Sequence, residues 1–169
     1  MKKTTLLIQI LITGVIMLLI VASVSAQESS IKIYNPEADA KAEIAEAVAK
    51  AQKEGKHVFL QIGGNWCVWC IRFHKFAQED SIINTFFQDN FVVLKVNYSK
   101  ENRNEEVLAE LGFPQRFGFP VFVILDGEGK RIHTQNTAFL EKDGGYDQQT
   151  VLRFLHNWSP GALDAGKYR

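Results

Sequence analysis

The stretch that most constrains this 169-residue chain is a strand-like run that stops at two glycines and leads into a cysteine pair. His57-Val58-Phe59-Leu60-Gln61-Ile62 is mostly apolar and of strand length, and Gly63-Gly64 ends it. Cys67-Val68-Trp69-Cys70 follows, at the head of a helical pattern in which Cys70, Phe73, His74 and Ala77 share one face to about residue 77. The reading is strand, turn, helix, with both cysteines in the first helical turn.

That placement meets three chemical demands. Cysteines three apart in one turn are close enough to form a disulfide. Cys67, at the helix start, lies among free amides and the positive end of the helix dipole, which favour a thiolate. Cys70, one turn in, is placed to resolve a mixed disulfide formed by Cys67. A purely structural disulfide is the plainer alternative. Closing so short a loop constrains the unfolded chain by about 2 kcal/mol, less than the ~3 kcal/mol of a fifteen-residue loop, so the pair is more useful as a reversible couple. Cys67, Cys70 and His74 could supply three zinc ligands, but no fourth is evident. Covalent haem attachment requires a histidine directly after the second cysteine, where this chain has Ile71. No metal or cofactor is expected.

The surrounding chain reads as alternating elements. Ile31 to Tyr34 alternates like a short edge strand. Asn35-Pro36-Glu37 reads as a cap, first residue and acidic first turn of a helix with Ala40, Ile44, Ala47, Val48 and Ala51 on its apolar stripe, ended by Gly55. Asp80 and Ser81 offer a fresh cap for a helix carrying Ile82, Ile83, Phe86 and Phe87. Phe91 to Val96 shows little alternation, as expected of a strand covered on both faces. A short helix carries Val107, Leu108 and Leu111, and Gly112 caps it. Pro120 opens a strand, Val121 to Leu125. Asp126-Gly127-Glu128-Gly129 turns it into Arg131 to Thr134, and Val151, Phe154, Leu155 and Trp158 mark a last amphipathic helix. The order βαβαβ followed by ββα predicts an α/β fold with a central mixed sheet and helices on both faces.

Composition narrows the function classes. Hydrophobic residues make up 46% and charged residues 22%, which excludes a disordered chain, and the net charge of zero comes without any basic stripe, so nucleic acid is not an expected partner. The N-terminus departs from this average. Met1-Lys2-Lys3 precedes an apolar run from Leu6 to Ala22, and Val24-Ser25-Ala26 supplies small residues before Gln27. This is the layout of a signal peptide over residues 1–26, leaving residues 27–169 as the exported domain, its core about 31–158 and its C-terminal tail 159–169. The alternative is an uncleaved N-terminal membrane anchor. Either way the soluble part lies outside the cytosol, in the periplasm or secreted, where thiols can be held oxidised.

Trp66-Cys67-Val68-Trp69-Cys70 and Gly118-Phe119-Pro120-Val121, separated by the expected strand and helix, resemble the thioredoxin superfamily over roughly residues 31–158. The segment Lys56 to Cys70 is especially similar to exported thioredoxin-like domains of the thiol:disulfide interchange type. The resemblance implies a thioredoxin-like fold with Pro120 as a cis-proline facing the cysteines. It also implies Cys67 as nucleophile, Cys70 as resolving cysteine, and substrate contacts from Trp66, Trp69, Phe119 and Pro120. Three positions depart from thioredoxin. Gln61 stands where a buried aspartate is usual, and it cannot accept a proton from Cys70. Val68-Trp69 replaces the usual residues between the cysteines. Phe119 stands where smaller residues are common and narrows the groove. Phe113 and Phe117, in the loop before Gly118, are expected to pack into the core.

The expected function is a thiol–disulfide oxidoreductase, leaning to reductase or isomerase because no histidine lies between the cysteines. Its partners are protein thiols and disulfides, together with a membrane or soluble redox partner that recharges the couple. The alternative is a thioredoxin-like peptide-binding module without turnover, which Gln61, Trp69 and Phe119 favour and the intact cysteine pair opposes.

Overall fold

The computed structural model describes residues 31–169; the expected leader, residues 1–26, lies outside them. Helix α1 (Ala40–Glu54) starts where the Asp39 carboxylate accepts from Ala42 N at 3.0 Å, and it ends at Gly55, whose φ of 65° lets its N–H reach Ala51 O. Strand β1 (His57–Gly63) follows, then α2 (Val68–Glu79), α3 (Ser81–Asn90), β2 (Phe91–Asn97) and α4 (Glu105–Glu110). Strands β3 (Val121–Leu125) and β4 (Arg131–Asn136) form the hairpin. A two-stranded ribbon, β5 (Glu141–Lys142) and β6 (Gly145–Tyr146), precedes α5 (Gln148–Asn157).

The main sheet has the order β2-β1-β3-β4, with β1 parallel to β2 and antiparallel to β3. Period-two alternation sorts its residues between two cores. Val58, Leu60 and Ile62 of β1 join Val121, Val123 and Leu125 of β3 in a core with Ala40, Ala47 and Ala51 of α1 and Val107 and Leu108 of α4. Phe59, Phe122 and Ile124 join Phe73 of α2, Ile83 and Phe87 of α3, and Val151, Phe154 and Leu155 of α5. The second core is aromatic: the Phe59 ring lies 4.8 Å from those of both Phe87 and Phe122. Mixed sheet and two-sided helical cover are those of a thioredoxin-like fold. Every residue of β1 is buried, so the turn that leaves it is carried on a strand held from both faces.

Three expectations are corrected. Ile31 to Tyr34 is not a strand. The Asn65 side chain takes up the backbone of Ile33 and Tyr34, as a neighbouring strand would have done. The helix begins at Ala40 rather than after Asn35, because Asn35 Oδ1 accepts from Glu37 N in a local turn. Strand β2 is not covered on both faces: it is a sheet edge, and Val93 is 43% exposed.

Candidate active site

The loop Gly64-Asn65-Trp66 carries the chain from β1 into α2, and the Cys67 amide closes it on Gly64 O at 3.0 Å. Cys67 is the N-cap residue of α2, with extended backbone, so its side chain faces the open amides of the first turn. The Cys70 amide donates to Cys67 Sγ at 3.1 Å. Cys67 and Cys70 are joined as a disulfide, with Cα atoms 5.2 Å apart. Both cysteines are buried, Cys70 completely, while Trp66 (57%) and Val68 (61%) beside them are largely exposed. The pair thus lies just beneath an apolar rim.

The expected contact residues gather around it. Trp66 Nε1 donates to Tyr98 O at 2.8 Å, and the indole lies edge-on to Phe119, ring centres 5.4 Å apart. Phe119 in turn stacks on Tyr98. Gly64 makes this possible: a Cβ there would lie 2.3 Å from Trp66 Nε1 and 2.6 Å from Tyr98 O. Trp69 lies edge-on to Tyr146, under the Arg72 guanidinium at 4.9 Å, and its carbonyl accepts from Tyr146 Oη. Trp69 and Phe119 both pack against the cluster of Tyr34, Cys67 and Cys70. Pro120 is buried, the Phe119–Pro120 peptide bond is cis, and Pro120 O accepts from Thr137 Oγ1 at 2.7 Å.

Gln61 is buried on β1 and donates from Nε2 to Cys70 O at 3.0 Å. It shares a cleft of about 500 Å³ at the β2 edge with His74 and Lys95. Burial there pushes the Lys95 ammonium below its usual range. The His74 imidazole is lowered by burial first and by Lys95 second. Phe113 and Phe117 are corrected: both are exposed, not core. Phe113 takes a left-handed φ of 57° and leads into a single 3₁₀ turn, Pro114–Phe117, that turns only Pro114 inward, while the Arg116 guanidinium covers the Phe117 ring.

Sequence reasoning missed Tyr34, Asn65, Tyr98 and Tyr146. Tyr34 is buried against the cysteines, and burial pushes its phenol above the usual tyrosine range, only partly offset by the nearby Gln61 side chain. No local pattern marks Tyr34, Tyr98 and Tyr146, each of which reaches the site through a contact distant in sequence. Asn65, though it lies in the site loop, acts through Ile33 and Tyr34 some thirty residues away.

A family model described as thioredoxin-like matches residues 39–127. The chain is 30% identical over 113 residues to the thiol:disulfide interchange protein DsbD of Salmonella typhi. That match covers 66% of this chain and 18% of the relative, so the chain spans less than a fifth of that protein's length. It is 27% identical over 97 residues to the disulfide bond reductase DsbH of Chlamydia pneumoniae, covering 52% of this chain and 57% of that protein. A crystal structure of a disulphide isomerase from Xylella fastidiosa Temecula1 superposes with a TM-score of 0.67 at 24% identity, covering 75% of this chain and 96% of the other.

Proposed function

Because the chain belongs to the thioredoxin-like family, we propose that it is an exported thiol–disulfide oxidoreductase that reduces or isomerises protein disulfides. The observation that carries this reading is the Cys67–Cys70 disulfide at the N-terminus of α2, with an amide already directed at Cys67 Sγ. In the reduced protein the Cys67 thiolate attacks one sulfur of a substrate disulfide. That S–S bond breaks, and the other substrate sulfur leaves as a thiolate and takes a proton from solvent. Cys70 gives up its proton and attacks Cys67 Sγ; the Cys67–Cys70 bond forms and the second substrate sulfur leaves. Two electrons pass from the cysteine pair to the substrate, and a partner dithiol must return them.

Trp66, Trp69 and Phe119, next to the buried Pro120, form the surface on which an unfolded or extended substrate segment lies, with Trp66 offering the exposed apolar contact. Export rests on the N-terminal pattern of residues 1–26. The relatives, an interchange protein and a disulfide bond reductase, support the lean toward reduction.

Insulin reduction in the presence of a small dithiol tests the activity. The wild type is expected to speed precipitation of the insulin B chain, and Cys67→Ser to reduce the rate to that of the dithiol alone. A wild type no faster than the dithiol would favour the peptide-binding alternative instead. Fusion of residues 1–26 to a reporter active only outside the cytosol tests export.

A further inference from the structure

Tyr34 is buried in one cluster with both cysteines, and its hydroxyl makes no well-formed hydrogen bond among the described residues: the Gln61 side chain lies near it, but Gln61 Nε2 donates to Cys70 O. An orphaned buried hydroxyl is costly, so its placement calls for a use. A Cβ added to Gly63 would lie 2.3 Å from Cys70 Sγ and 2.9 Å from Tyr34 Oη, so the sulfur and the hydroxyl both border the bare face of that glycine. The placement is also built. Asn65 Oδ1 accepts from Ile33 N at 2.8 Å and from Tyr34 N at 3.0 Å, and Asn65 Nδ2 donates to Tyr34 O at 2.9 Å. Asn65 stands two residues before Cys67, so the loop that presents the nucleophile also clamps the tyrosine.

We propose that Tyr34 is a positioning residue for the resolving step, its hydroxyl donating a hydrogen bond to the Cys70 thiolate once the disulfide has opened. This rests on the oxidoreductase reading and adds the residue that governs its second step. In the oxidised protein the Cys70 sulfur is bonded to Cys67 and the hydroxyl makes no hydrogen bond to it, which leaves the hydroxyl unpartnered. After reduction, burial of Cys70 disfavours its thiolate. Gln61 binds the Cys70 carbonyl and offers the sulfur no charge. A hydrogen bond from the phenol, formed once the thiolate is free to accept it, offsets that desolvation. Burial keeps the phenol protonated while the thiol titrates, so Tyr34 donates and does not act as the base; the Cys70 proton leaves to solvent. The thiolate then attacks Cys67 Sγ of the mixed disulfide, and the substrate sulfur departs with the electron pair of the broken bond.

The test is the titration of the Cys70 thiol, followed by ultraviolet thiolate absorbance in the full-length chain carrying Cys67→Ala. His74 and Arg72 of α2, Lys95 of β2 and Tyr146 of β6 are the other titratable groups around the pair, and they are common to both proteins compared. Adding Tyr34→Phe is expected to cut the thiolate fraction at fixed pH about tenfold, the size of a lost hydrogen bond to a charged group. The alkylation rate of Cys67 in a Cys70→Ala background is expected to stay within about twofold, since that thiolate is held by the helix amides. An unchanged Cys70 titration in folded Tyr34→Phe overturns the proposal. Should Tyr34→Phe fail to fold, the carbon-13 Cζ resonance of Tyr34 in the Cys67→Ala protein decides it. A shift that follows the Cys70 titration supports the hydrogen bond, and a flat resonance overturns it. Neither measurement requires turnover, so a protein that fails to reduce insulin overturns the oxidoreductase reading while the titration still reports on Tyr34.

Discussion

The amide of Cys70 donates to the sulfur of Cys67 at 3.1 Å, across the first turn of α2. The two cysteines are therefore unequal by construction. Cys67 occupies the capping position and collects a backbone donor together with the positive end of the helix. Cys70 supplies that donor and is itself fully buried. The asymmetry needs no other side chain, because it follows from placing a Cys-x-x-Cys at the start of a helix.

One consequence is a trap. Replacing Cys70 by serine removes the resolving sulfur, so the mixed disulfide between Cys67 and substrate should accumulate. Replacing Cys67 should leave no such adduct, because Cys70 is shielded from substrate. Non-reducing electrophoresis after incubation with a disulfide-containing protein reads the difference. Adducts with the Cys67→Ser protein only would reverse the two roles.

Gln61 provides a second prediction. It is almost completely buried, pairs in register with Lys95 and holds the Cys70 carbonyl, but it cannot take up the Cys70 proton. Gln61→Asp places a carboxylate between that proton and an ammonium that has no acidic partner among the described residues. Disulfide reduction near neutral pH should accelerate, with about 10²-fold at the lower end of what a positioned base contributes. Stability should fall as well, by about 1–3 kcal/mol for the lost amide hydrogen bond. A folded variant with an unchanged rate would mean that solvent already removes the proton fast enough.

Lys95 gives a prediction with a definite sign in pH. Burial lowers its folded-state pKa below the ordinary 10.5, so the unfolded chain holds this proton more tightly than the folded one. The cost of charging it is fully present below the folded pKa and fades as pH rises toward 10.5. Lys95→Met should therefore raise the melting temperature at pH 7, and the gain over wild type should shrink as the pH is raised through 9 and 10. A gain that stays constant across that range would show that packing, not charge, is responsible.

Much of this arrangement is legible in the chain itself. The run His57 to Ile62, the break at Gly63-Gly64 and the helical face of Cys70 and Phe73 appear in the structure as β1, the site loop and α2. Gly55 and Asp80 cap the helices as expected, because capping depends on neighbours within four residues. The structure departs from the local pattern mostly where a distant partner overrides it, and at Asn35 where a short local turn delays the helix. The alternation of Ile31 to Tyr34 has the signature of a strand, but its hydrogen bonds are met by Asn65, more than thirty residues away. Phe91 to Val96 is apolar enough for a central strand, yet topology leaves it at the edge beside a cleft. Tyr34, unmarked by any motif, reaches Cys70 only through the tertiary fold.

The central claim is that Cys67 is the nucleophile, and the most direct measurement is competitive alkylation of the reduced protein near neutral pH, read by peptide mass spectrometry. Cys67, with a thiolate stabilised at the head of α2, should be labelled at least about tenfold faster than buried Cys70. Equal labelling of the two, or labelling of Cys70 first, would contradict the account.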